Sequence, residues 1–300
     1  MTTIELDDGR VESVSVIEKV ERIDAHQHFW RYSATEYGWI DEEMTALRRD
    51  FLPSDLKAAM ASAGIDGTIA VQARQTLDET RWLLDLADGT DAIRGVVGWA
   101  PIAGEEFPGV MEEFDGRFKL KGLRHVIQDE PDEHYILRED FNSGIRTLVD
   151  SGLVYEILIF ERHLADAIHF VDTHPRQPFV LDHIAKPLIA AGQIEPWATL
   201  MRELGRRENV WCKLSGMVTE ADWRTDPARA SSLATLNPYL DVAVEAFGPK
   251  RLMAGSDWPV CLLATGYAQW FDLLRSYFAG FSETEQAAIF GGTAIEVYGL

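Results

Sequence analysis

The sequence predicts one α/β domain, a (β/α)8 barrel over residues 20–300, behind a partly ordered leader at 1–19. Three observations carry that prediction. Short β-rich runs recur eight times, stretches of helical period lie between them, and no linker rich in Gly, Pro or Ser divides the chain.

The runs are VERIDAHQHF at 20–29, GTIAVQA at 67–73, IRGVVGWAP at 93–101 and LKGLRHVI at 120–127. They continue as LVYEILIF at 153–160, PFVLDHI at 178–184, NVWCKLSG at 209–216 and RLMAGSDWPV at 251–260. Most are continuously apolar rather than alternating, the pattern of parallel strands covered on both faces. After the first run, Leu56, Ala59, Met60 and Ala63 mark a helical face that Gly64 can end. Leu164, Ile168 and Val171 repeat the spacing after the fifth run. Near the C-terminus, Ser282 and Glu285 form a capping box before Ala287–Phe290, with Gly291 placed as a stop. A doubly wound open sheet is the competing architecture, but no Gly-rich phosphate loop follows the first run. The long connections at 29–52 and 216–236 follow strands one and seven and are expected over the C-terminal face of the barrel.

Bulk properties remove several function classes. The 300 residues are 46% hydrophobic and 26% charged, an ordinary globular balance. A net charge of −21 repels phosphate backbones, so no nucleic-acid partner is expected. No apolar run reaches membrane-spanning length, so no membrane association is expected. The acidic N-terminus lacks the apolar core of a secretory signal, which points to the cytoplasm. Cys212 and Cys261 sit at unrelated spacings and read as buried thiols of a reducing compartment.

In such barrels chemistry sits where the strands end. The first run ends in Asp24-Ala25-His26-Gln27-His28, and side chains two apart on a strand share a face. His26 and His28 can therefore point together at the barrel axis, as half of a metal site or as donors to a substrate carbonyl. Taken alone, the pair is as readily structural. The sixth run ends in Asp182-His183 and the eighth in Ser256-Asp257-Trp258. His183 also reads as a core histidine and Asp257 as a turn cap. Four such groups at three strand ends nonetheless argue for one site.

Arg124, at the end of the fourth run, presents a planar fork suited to a carboxylate or an oxygen-rich ligand. A salt bridge to a neighbouring strand is the competing reading. His125 faces the other way by strand parity. Arg74 and Lys213 are weaker candidates of the same kind. Trp30, Trp99 and Trp258 fall near strand ends, where flat aromatic faces can meet a sugar ring or simply fill the core. There is no GxSxG elbow and no reactive-cysteine context, and no base is placed for Ser256.

The HxH after the first run, His183 in LDHIAKP and Asp257 in GSDWP resemble the amidohydrolase superfamily. Within it, IDAHQHFW, KGLRHVIQDEPD, NVWCKLSGMVTEADW and RLMAGSDWPV are similar to the sugar-lactonase group of the amidohydrolase-2 branch, which includes L-fuconolactone and L-rhamnonolactone hydrolases. The resemblance runs from about residue 20 to the C-terminus. It implies a (β/α)8 barrel that hydrolyses an aldonolactone in cytoplasmic sugar catabolism. Binuclear members carry a lysine or glutamate after strand four and a histidine after strand five. Here those places hold Arg124-His125 and Tyr155–Phe160, with Glu156 the ionisable group, so a two-metal centre is not expected. The resemblance implies at most one zinc or other divalent ion, held by His26, His28 and Asp257, with His183 as fourth ligand or acid/base, and dispensable for activity.

Opening a lactone needs a water, a base and stabilisation of the developing oxyanion. Asp257 is expected as the base, oriented by His183. His26 and His28 would polarise the carbonyl directly or through one ion. Asp257 or His183 would return the proton to the ring oxygen, and Arg124 would hold hydroxyls or the nascent carboxylate. Two other readings stand beside this one, an amidohydrolase-type decarboxylase and a catalytically silent sugar-binding barrel.

Overall fold

The computed structural model describes residues 2–5, 11–14 and 20–300. The leader expected over 1–19 lies outside the described residues, apart from two short strands, Thr2–Glu5 and Val11–Val14, which pair antiparallel. From Ile23 onward, eight parallel strands are ordered as in the sequence. They are β1 (Ile23–Gln27), β2 (Gly67–Val71), β3 (Ile93–Gly98) and β4 (Leu120–Val126). β5 (Val154–Leu158), β6 (Phe179–Leu181), β7 (Val210–Leu214) and β8 (Leu252–Ala254) complete the set. Every residue of β1, β2, β5, β6 and β8 is buried, which is why the runs read as continuously apolar.

A principal helix follows each strand: α1 (Pro53–Ala63), α2 (Leu77–Asp88), α3 (Phe107–Glu113) and α4 (Glu139–Leu148), then α5 (Leu164–Thr173), α6 (Trp197–Leu204), α7 (Leu233–Phe247) and α8 (Tyr267–Phe278). Their starts follow local chemistry. Thr76 caps α2 by accepting from the Glu79 amide, and Ser232 caps α7 by accepting from Thr235. Gly64 ends α1 at a φ of 62°. The Ser282–Glu285 capping box opens a short helix at Glu283–Ala287. Gly291 does not stop the chain there. Residues 288–292 form a wide turn, and a helix resumes at Thr293–Tyr298. Gly291 is needed for proximity, because a Cβ on it would lie 1.8 Å from the Glu21 carbonyl oxygen.

Two apolar layers result. One fills the space between strands and helices. The other includes Ile23, Ile69, Val97, Val154, Val180 and Met253, one from each of six strands, together with Ala294 and Tyr298 of the last helix. None of the helices among the described residues is long and apolar enough to cross a membrane.

The barrel closes just beyond the ends of β1 and β8. The Asp257 amide donates to the His26 carbonyl at 2.8 Å, and the His28 amide donates to the Trp258 carbonyl at 2.7 Å. Gly255 permits this approach, since a Cβ there would lie 2.8 Å from that of His26. Asp24 ties the two sides of the seam together. Its carboxylate accepts from the Ser256 amide (2.8 Å), the Ser256 hydroxyl (2.7 Å) and the His26 amide (3.2 Å). Asp24→Ala would leave the buried Ser256 and His26 amides without this acceptor, at about 1–3 kcal/mol each, and leave the Ser256 hydroxyl only the His26 carbonyl at 3.3 Å. Thermal unfolding followed by circular dichroism should then show a melting temperature lower by roughly 10 °C; an unchanged midpoint would remove Asp24 from the closure.

Candidate active site

The seam brings His26, His28 and Asp257 together. His28 Nε2 lies 3.2 Å from His26 Nε2 and 3.3 Å from Asp257 Oδ1, and His26 Nε2 is 3.8 Å from the same oxygen. The tautomer of a neutral His28 is fixed by its other nitrogen. Nδ1 sits 2.8 Å from the Val71 carbonyl, which only accepts, so Nδ1 carries the proton and Nε2 a lone pair. The donor set fits a single divalent ion. Zinc–nitrogen bonds of about 2.0–2.1 Å at the tetrahedral angle place ligand atoms about 3.3 Å apart, close to the spacing of these three atoms. A second group of atoms, from His26, Asp182 and His183, shares His26 with the first, so the two sets compete for one imidazole.

Beneath the cluster lies a ladder of buried charge. Lys213 Nζ, from β7, contacts Glu156 of β5 at 2.6 Å, Asp182 at 3.2 Å and His26 Nδ1 at 3.2 Å. Arg124, from β4, donates to Asp182 Oδ2 at 2.8 Å and to the Gln72 carbonyl at 2.5 Å, and its NH1 is 3.3 Å from His26 Nε2. At the bottom, the Tyr298 hydroxyl donates to Glu156. Burial drives the Glu156 carboxyl up, and the Asp182 charge adds to this. Burial also acts to raise Asp182, but Lys213, His26 and Arg124 outweigh it and hold that carboxyl low. His26 is pushed well down, first by burial and then by the Lys213 charge, so it is neutral.

His183 reaches the site through a strained turn. His183, Ile184, Ala185 and Lys186 have φ of 52°, 48°, 58° and 47°, four successive residues in the left-handed region, and Asp257 joins them at 57°. Such conformations cost about 1–2 kcal/mol per residue. The turn is held by the Trp197 indole, which donates to the Ile184 carbonyl at 2.8 Å. The imidazole rests with Nδ1 2.9 Å from the Ser215 hydroxyl, over Gly216, where a Cβ would approach Nδ1 to 2.5 Å. Burial lowers the His183 imidazole to about 4, so it is neutral near pH 7. Burial raises Asp257, but the His183 and His28 imidazoles and the Lys186 ammonium outweigh it and leave the carboxyl below the ordinary range.

His28, Arg124, His183 and Asp257 line a cavity of about 160 Å³, whose wall also includes Gln72, Gln128, Asp129, Lys186 and Trp39. His26 lies fully buried behind it. A larger cleft of about 660 Å³ opens near the strand starts, around Phe118 and Tyr298, away from the imidazole cluster. Arg124 combines the two roles weighed for it, lining the cavity while paired to Asp182. His125 lies on the other face of β4, stacked on Tyr135 at 4.9 Å. Four other candidates do not line the cavity. Trp30 is fully buried, with its indole donating to the Arg49 carbonyl at 2.9 Å, and Trp258 packs edge-on against Phe51 at 5.1 Å. Trp99 donates to His125 Nδ1 at 3.3 Å. Arg74 is paired with Glu36 at 2.5 Å and Glu79 at 3.6 Å. The aromatic ring in the cavity wall is Trp39, from the long β1–α1 loop. Asp182, Glu156, Lys186, Gln72 and Gln128 were not singled out as site residues, although Asp182 and Lys186 flank His183 in the same motif.

Comparison with known proteins agrees with this geometry. The Amidohydrolase family model matches residues 23–300. The L-fucono-1,5-lactonase of Burkholderia multivorans is 43% identical over 286 residues, covering 93% of this chain and 96% of the relative. That of Burkholderia ambifaria is 35% identical over 283 residues, covering 92% and 95%. The crystal structure of a zinc-bound amidohydrolase from Burkholderia multivorans superposes with a TM-score of 0.90 at 43% identity, over 93% of this chain and 99% of that one. With a barrel that gathers its imidazoles and Asp257 at the closing seam, and a family match running to its last residue, the chain belongs to the amidohydrolase family.

Proposed function

We propose that the chain is a lactonase that opens L-fucono-1,5-lactone, or a closely related aldonolactone, to the aldonic acid. The observation that carries this reading is the Asp257–His28 pair beside Arg124 in a small polar cavity, on a chain whose similar relatives include L-fucono-1,5-lactonases. The decarboxylase and silent-barrel readings have no comparable support.

Asp257 is the base in this reading. One carboxylate oxygen faces the two imidazoles, and the other is left to take a proton from water as the water oxygen adds to the lactone carbonyl. Neutral His183, beside it in the cavity wall, carries the proton to the ring oxygen as the carbon–oxygen bond breaks. A neutral His28 offers a lone pair at Nε2 rather than a proton, so it suits a ligand's role better than that of a direct donor to the carbonyl. His26 Nε2, His28 Nε2 and Asp257 would hold one divalent ion, which when bound supplies Lewis acidity toward a carbonyl oxygen or a water. Arg124 holds oxygen atoms of the bound substrate with its guanidinium, which Asp182 keeps in place.

Two experiments test these roles. Asp257→Asn should lower kcat on the best aldonolactone by about 10²–10⁴-fold with little change in KM. Arg124→Lys keeps a charge facing Asp182 but loses the fork, and should raise KM more than it lowers kcat; in steady-state kinetics, a loss confined to kcat in Arg124→Lys, or a change in KM alone in Asp257→Asn, would overturn the assignment of that residue. For the metal, elemental analysis after exhaustive dialysis and reloading with zinc should give at most one tightly held ion per chain, and none in His28→Asn. Two ions per chain would contradict the shared-ligand geometry.

A further inference from the structure

Three residues of the cavity wall each carry a buried polar atom that meets no protein partner among the described residues: Oε1 of Gln72, Oε1 of Gln128 and Nε of Arg124. Gln72 follows β2 and is fully buried. Its Nε2 lies 3.4 Å from the Arg124 carbonyl, and since a carbonyl only accepts, the amide orientation is fixed and Oε1 is the free end. Gln128 sits in the turn Ile127–Asp129 that follows β4. A buried acceptor without a donor costs about 1–3 kcal/mol, and native structures retain few of them. Here two acceptors and one donor belong to residues that line the same small cavity.

The chemistry of these atoms selects a ligand group. An amide oxygen accepts and a guanidinium donates, while a hydroxyl does both. A carboxylate can only accept, so it would be repelled at both amide oxygens. Trp39 adds an apolar surface, being the one aromatic residue in the wall, 39% exposed and set edge-on to buried Trp30 at 5.7 Å. Such a ring suits the C–H face of a saturated cyclic ligand. We propose that Gln72 and Gln128 are specificity-determining residues that each receive a hydroxyl of the substrate, so that the site selects multiply hydroxylated lactones. This inference rests on the lactonase reading and assigns its substrate contacts.

The test compares wild type, Gln72→Met and Gln128→Met on L-fucono-1,5-lactone and on lactones each lacking one hydroxyl. Wild type should lose about 10–100-fold in kcat/KM when the hydroxyl read by Gln72 is removed. Gln72→Met should lose a similar factor on the parent lactone, show no further loss on that one deoxy compound, and keep the wild-type penalty on the others. Gln128→Met should show the same coupling at a different hydroxyl, and it carries the test alone if Gln72→Met does not fold. Wild-type indifference to every deletion, or equal losses across the series in both variants, overturns the proposal. If wild type turns over none of these lactones, the lactonase reading fails. Calorimetric binding of the corresponding lactams, which keep the hydroxyls, then decides the inference: coupling at single hydroxyls sustains it, and absence of wild-type binding overturns it.

Discussion

The site depends on the buried charge ladder Glu156–Lys213–Asp182–Arg124. Four buried charged side chains, from β4, β5, β7 and the turn after β6, lie inside a barrel, where an unpaired charge costs several kcal/mol. They are tolerated because each meets an opposite charge, with Lys213 bridging Glu156 and Asp182 and Arg124 completing Asp182. His26 rests on the top of this ladder, with Nδ1 facing Asp182 and Lys213 and Nε2 facing Arg124. The imidazole cluster is therefore set by electrostatics below it as much as by its own strand.

Backbone strain does the complementary work above. Four consecutive left-handed residues would not persist in a free loop, yet here they present His183 and Lys186 to one cavity. Their support comes from remote parts of the chain. Trp197 grips the turn from α6, and Gly216 leaves room for the imidazole at the end of β7.

The sequence made the fold legible because strands buried on both faces leave uninterrupted apolar runs, and helices leave caps such as Ser282–Glu285. His26, His28, His183 and Asp257 were legible for a related reason: each is an ionisable residue where such a run ends. Glu156, Lys213 and Asp182 were harder to read, since their meaning lies in which strands are neighbours and how high each residue sits in the barrel. Tryptophan gave a mixed signal. A ring at a strand end looks the same in sequence whether it turns to the cavity or to the helices, so Trp30 and Trp258 were indistinguishable from a binding residue. Trp39 lies in a loop with no periodicity to mark it. Gly291 resembled a helix stop because nothing local records that Glu21 passes against it.

The seam between the first and last strands has a kinetic consequence. Asp24 and Ser256 stand 232 positions apart, so bringing them together carries a large loop-closure cost. His26 and His28 lie on one side of that join and Asp257 on the other. A nascent or partly folded chain can hold most of its strands in register and still lack the cluster, because the act that shuts the cylinder is also the act that assembles the site. Separating the first strand from the last would carry His26 and His28 away from Asp257.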